Sequence, residues 1–274
     1  MKLTDSPLPE QAVIEQRHSR RERTILITLI TLLFIAAVIS LCLGRFVIPL
    51  GDIWGILVTW ISGNAELSQN PSEVVILLVR LPRIMLCILV GAALSASGAS
   101  YQGLFRNPMV SPDILGVSAG AGVGASIAIL MDYPSYGVQI LAFAFGIGAV
   151  FLVMGLASAI GKGNPVTLIM VLSGIVIGSL FNSCTALIKF IADAQDKLPD
   201  VVFWLMGSFA KCGSYSNVWI LLGVVVVAGV PLYITRWKMN VLAFGEEEAQ
   251  AMGINTGRLR LGIVICSKML TASS

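Results

Sequence analysis

The sequence predicts an all-α, polytopic membrane protein with about seven helical spans. Two observations carry that reading. Hydrophobic residues fill 56% of the 274 positions and charged residues only 12%, about half the ~25% of a soluble domain; mean hydropathy is +0.88. Apolar runs of roughly 20 residues also recur along the chain, each able to cross a ~30 Å hydrocarbon layer as a helix. The net charge of +3 sits between these runs and forms no stripe, which argues against a nucleic-acid partner. The cysteines Cys42, Cys87, Cys184, Cys212 and Cys266 form no CxxC, and the single histidine, His18, lies in the polar N-terminus. They read as small packing residues, so no metal site, catalytic residue or cofactor is expected.

Residues 1–23 are polar and basic, with Arg17, Arg20, Arg21 and Arg23 ahead of a first span at 24–44. That run is too long for the apolar part of a signal peptide and lacks a convincing cleavage site, so it reads as a retained helix. Residues 1–23 form a cytoplasmic segment, and 24–274 form the membrane domain. The connection 45–79 carries turn signals at Gly51-Asp52, Ser62-Gly63-Asn64 and Asn70-Pro71. Trp54 and Trp60 within it suggest a short helix at the membrane interface.

Further spans are expected at 84–104, 114–131, 137–160, 166–191 and 215–235, with a tight break at 161–165. The apolar stretch 201–210 is too short to cross and reads as re-entrant or interfacial. A polar stretch at 236–260 precedes a seventh run from 261, inside which the chain stops at Ser274. With the N-terminus inside, lysines and arginines favour the cytoplasmic segments by eleven to six. Arg80 and Arg83 go against that bias and need a reason to lie outside.

Nucleotide-binding signals fail. GLASAIGKG (155–163) has the wrong glycine spacing and no Ser or Thr after Lys162, and Gly120, Gly122 and Gly124 do not fit G-x-G-x-x-G. The chain is not expected to hydrolyse ATP or to be an enzyme. No carboxylate or histidine stands near the middle of a span, where an ion-coupled carrier usually places one. Lys268 is the isolated charge in the last run and would face a cavity or another helix. Energy and selectivity must then come from other chains.

Small residues recur four apart at Gly91/Ser95/Ala99, Gly120/Gly124 and Gly174/Gly178. They suit close helix packing; lining a pathway is the alternative, with Gly98 in the same run. Pro82 is expected to hold Leu81 extended, fixing Arg80 and Arg83 on a corner where the second helix begins. Fixed guanidiniums suit carboxylates of a docking partner, and anchoring to lipid headgroups is the bland alternative. In 239–260, Glu246, Glu247, Glu248, Ala249 and Met252 look helical, Gly253 ends that helix and another begins near Thr256. Such a pair would suit a soluble partner; a solvated loop is the other reading.

Three segments together resemble the FecCD/cobalamin-permease family, the membrane subunits of type II ABC importers for iron–siderophores, haem and cobalamin. They are Arg80-Leu81-Pro82-Arg83 followed by GAALSASGASYQGLFRNPMVSPDILGVSAGAGVGA, then VFWLMGSF (202–209), then LAFGEEEAQAMGINTGRLR (242–260). The resemblance implies an inner-membrane protein with a cytoplasmic N-terminus that carries an iron–siderophore or similar chelate. It implies that Arg80 and Arg83 meet glutamates of a periplasmic or lipoprotein substrate-binding protein. Gly245, Glu246, Glu247, Ala249, Met252 and Gly253 would lie in coupling helices on an ABC ATPase subunit. Gly91, Ser95, Gly98, Gly174 and Gly178 would line or pack the pathway, in a homodimer or with a paralogous permease. The family pattern of about ten spans in inverted halves makes this chain look truncated at its C-terminus, and an inactive fragment is then one alternative. A secondary transporter is the other.

Overall fold

The structure is a computed structural model that describes residues 9–44, 46–62, 70–108, 110–111, 113, 116–160, 166–209, 214–242 and 244–274. Every regular element among them is helical. The expected break at 161–165 and the turn at 63–64 lie outside the described residues, as do Arg45, Lys211 and Cys212. The chain divides into two compact units, Met1–Ile84 and Met85–Ser274.

The first unit begins with α1 (Pro9–Cys42), whose apolar part, Arg20–Cys42, is long enough to span. The short helix expected at the interface is α2 (Leu50–Ile61). Its twelve residues reach only about 18 Å. Ile53 on one face is buried with Ile48, Ile76 and Leu77, while Trp54 and Ile61 are about three-quarters exposed.

Asn70-Pro71 turns out to start a helix. The Asn70 side chain accepts a hydrogen bond from the Ser72 N–H at 3.4 Å, and Pro71 occupies the first helical turn, where its missing N–H costs nothing. α3 (Pro71–Val74) runs through a π-helical turn, Val75–Arg80, into α4 (Leu81–Phe105). The expected extended corner at Leu81 is therefore corrected: Leu81 is helical, with φ −61° and ψ −50°. Its N–H bonds the Ile76 carbonyl, five residues back. A proline ring crowds the carbonyl four residues before it, and the widened π turn sits just ahead of Pro82, where that crowding arises.

The second unit holds the rest of α4, then α5 (Val117–Leu130), α6 (Ser135–Ile160), α7 (Val166–Ile191), α8 (Lys197–Met206), α9 (Tyr215–Leu242), α10 (Glu246–Ala251) and α11 (Thr256–Ser273). α5 packs against α6, α7 and α8. Glycines make the approach to α6 possible. A Cβ at Gly120 would lie 2.8 Å from the Phe145 carbonyl oxygen and 2.9 Å from Ala149 Cβ, and one at Gly124 would collide with the Leu141 carbonyl. α8 occupies the stretch expected to be re-entrant or interfacial. It is tied to the α5–α6 turn by an ion pair between Lys197 and Asp132. α9 runs through Pro231 and on to Leu242, past the span end expected at 235.

Five helices among the described residues are long and apolar enough to cross a membrane: Arg20–Cys42, Pro71–Phe105, Ser135–Ile160, Ile169–Ile191 and Tyr215–Leu242. The seven expected spans differ at two places. α5 has 14 residues and reaches only about 21 Å. α11 carries Arg258, Arg260 and Lys268 among its 18 residues.

The glycine contacts give a direct test of the α5–α6 interface. Gly120→Val or Gly124→Val should lower thermal stability in detergent by about 1–3 kcal/mol, the usual cost of overpacking. Gly148→Ala, with nothing within 4 Å of a new Cβ, should leave it unchanged or raise it by up to ~1 kcal/mol.

Candidate functional site

Three surfaces carry the residues singled out by sequence. The first is the arginine corner. Arg80 is half-buried, and its guanidinium donates to the carbonyls of Leu41 and Phe46. Leu41 lies in the last turn of α1, where carbonyls have no partner within the helix. Gly44 leaves room for this contact, because a Cβ there would lie 2.6 Å from the guanidinium. Arg80 therefore holds its own chain. Arg83 stands one turn further on, also half-buried, beside the buried Pro82. The structure gives the two arginines different surroundings, although the sequence treats them as a pair.

The second surface is the stretch around α10. Gly253 has φ 79°, a left-handed conformation that glycine adopts without a Cβ clash. Its N–H bonds the Gln250 carbonyl at 2.9 Å, and the Ile254 N–H bonds the Ala249 carbonyl at 3.0 Å. This is a Schellman closure, with the accompanying apolar contact supplied by buried Ala249 and Ile254. Asn255 then caps α11 by accepting the Arg258 N–H at 3.0 Å. At the other end, the Glu248 carboxylate folds over Gly245, in the space a side chain would fill.

Glu246 opens α10, Glu247 and Glu248 are exposed, and Met252 is 63% exposed. Phe244, which the sequence reading passed over, is 78% exposed. Its signal was a bulky apolar residue at the edge of a polar stretch. The result is an acidic helix flanked by two exposed apolar side chains, held on its inner side by Ala249. Arg106 was also missed. Its guanidinium donates to the carbonyl of Leu242, the last residue of α9.

The third surface concerns the small residues, which fall into two groups. Gly174 and Gly178 on α7 lie against Gly116, where a Cβ would sit 3.1 Å from the Gly178 Cα. On α4, Gly91, Ser95 and Ala99 are exposed, Gly98 is half-buried, and nothing approaches within 4 Å of a Cβ at Gly91. Lys268 is 1% exposed, with its Nζ 4.8 Å from the centroid of the Tyr101 ring.

Known proteins resemble this chain over most of its length. The profile of the FecCD transport family matches residues 32–274. The chain belongs to the FecCD transport family. It is an ABC-transporter permease. The molybdate import system permease protein of Haemophilus influenzae is 36% identical over 90% of this chain and 72% of its own length. A probable iron chelatin transport system permease protein of Helicobacter pylori is 35% identical, over 76% of this chain and 61% of that one. The cobalamin import system permease protein of Halobacterium salinarum is 36% identical, over 74% of this chain and 54% of that one. A metal-chelate type ABC transporter solved in an inward-facing conformation superposes with a TM-score of 0.78 at 33% identity, covering 92% of this chain and 74% of that one.

Arg80→Ala should loosen the end of α1. Removing a charged donor from a carbonyl costs about 1.5–3 kcal/mol, so amide hydrogen exchange in residues 41–48 should quicken, with Arg80→Lys giving a smaller change. Gly44→Ala should act in the same direction by displacing the guanidinium.

Proposed function

We propose that this chain is the membrane subunit of an ABC importer that moves a metal chelate, of the iron–siderophore class, across the cytoplasmic membrane. ATP would be hydrolysed on a partner chain. The observation that carries this reading is the preformed α10 surface, with Phe244, Glu247 and Met252 exposed on a segment closed at both ends. Such a surface fits a soluble ATPase, in keeping with the coupling role that the family resemblance implies for this stretch. The cytoplasmic side would then hold the N-terminus and residues 239–260.

Arg83 is the docking arginine of the outer corner, facing acidic groups of a substrate-binding protein, and Arg80 shapes the backbone beside it. The open face of α4 at Gly91, Ser95 and Ala99 suits either a pathway wall or a second permease copy, homodimeric or paralogous. The iron–siderophore class draws on the iron chelatin relative and on the metal-chelate type of the solved neighbour. Molybdate and cobalamin are the competing cargoes, from the other relatives' names.

Charge reversal at Arg83 should weaken capture of the substrate-binding protein about tenfold, or ~1.4 kcal/mol, and leave ATPase capture intact. Docking that survives Arg83→Glu would remove the corner from the assignment. Glu247→Lys and Gly253→Val should do the converse, weakening ATPase capture first. The cargo follows from the ligand that co-purifies with the binding protein: an iron chelate supports the proposed class, whereas molybdate or cobalamin replaces it.

A further inference from the structure

α10 lies in the chain between the last residue of α9 and the first turn of α11, and the inner half of α4 reaches both flanking helices through long side chains. On one side Arg106 donates to the Leu242 carbonyl, two residues before Phe244. On the other, the fully buried Tyr101 donates its hydroxyl to the Val264 carbonyl of α11 at 3.3 Å. Ser97 and Thr271 share a hydroxyl hydrogen bond at 2.9 Å, and the Lys268 ammonium sits over the Tyr101 ring. Leu104 and Phe105 complete the contact, in one core with Val241, Leu242, Ala249, Ile254 and Leu259.

Arg106 is held in an unusual backbone conformation. Its φ is 50°, a region that non-glycine residues adopt only when their surroundings enforce it. The turn that follows is closed by the Asn107 N–H on the Gln102 carbonyl at 3.2 Å and by the Gln102 side-chain amide on the Pro108 carbonyl at 3.2 Å. A cation fixed in this way near a helix C-terminus acts on a carbonyl that has no partner in its own helix.

We propose that Arg106 is a positioning residue for the α10 surface, and that with Tyr101 it makes the inner half of α4 move together with α10. Displacement of α10 by an ATPase would then reach α4 from two sides, through the α9 carbonyl and through α11. α4 is also the helix whose Gly91, Ser95 and Ala99 face is open, so the displacement arrives at the candidate pathway wall. This inference rests on the permease reading for its function, while the bracket itself can be tested without it.

Two measurements separate these levels. The first is hydrogen exchange on the purified full chain. Loss of a charge-assisted hydrogen bond in Arg106→Ala should quicken exchange at residues 244–254 about tenfold, with residues 120–150 of α5 and α6 unchanged and Arg106→Lys restoring most of the protection. Equal exchange in Arg106→Ala and the unaltered chain overturns the bracket.

The second uses the chain with its ATPase and substrate-binding protein in lipid vesicles. Arg106→Ala should weaken ATPase affinity by no more than the roughly tenfold loosening of its surface and, with the ATPase saturating, lower substrate moved per ATP hydrolysed about tenfold, with partial recovery in Arg106→Lys. An unchanged ratio of substrate moved to ATP hydrolysed, whether or not ATPase affinity falls, overturns the transmission. An unaltered chain that captures no ATPase overturns the proposed importer function instead, and the exchange measurement still decides the bracket.

Discussion

A guanidinium on a helix-end carbonyl is the interaction on which much of this structure depends. A buried backbone polar group must find a partner within the protein, and the last turn of every helix leaves carbonyls without an intrahelical partner. Arg80 meets this need at the end of α1, through Leu41, while also donating to Phe46 in the connection beyond, and Arg106 meets it at the end of α9, through Leu242. Both contacts join segments far apart in sequence. Both also fix backbone beside one of the two candidate docking surfaces, so one physical requirement shapes both.

How legible the structure was depends on the range of the interaction. Residues 245–256 could be read closely, because a glycine at a helix end and an asparagine at the next start are local signals that act within a few residues. The helix boundaries at Gly253 and Thr256 follow from them. Pro82 was misread for an instructive reason. The pre-proline clash disfavours a helical Leu81 without forbidding it, and the π turn of Val75–Arg80 sits where the Pro82 ring would crowd the carbonyl four residues back, so the helix runs on. Asn70-Pro71 carried the correct local chemistry, a cap followed by a helix-starting proline, but that dipeptide also starts turns.

The partners of Arg80 and Arg106 were not legible at all. Nothing in the sequence near either residue points to a carbonyl 39 or 136 positions away. The same limit applies to the small residues, which look alike in sequence. Gly120 and Gly124 are pressed against backbone, while Gly91 meets nothing within 4 Å. Only the neighbouring helix decides whether a glycine serves close packing or an open wall. The expectation of seven spans likewise counted apolar runs, and α5 shows that such a run can be a short, mostly buried helix.

The Schellman closure and the asparagine cap have an energetic consequence for recognition. Segments that fold only on contact lose affinity to the ordering of their backbone, at about 1–2 kcal/mol per residue. Between Gly245 and Thr256 the chain has already ordered itself: its turn is closed by its own amides and its inner face is buried through Ala249 and Ile254. A partner meeting Phe244 and Met252 encounters a preorganised shape, so more of the contact energy remains available to move the helix than to build it.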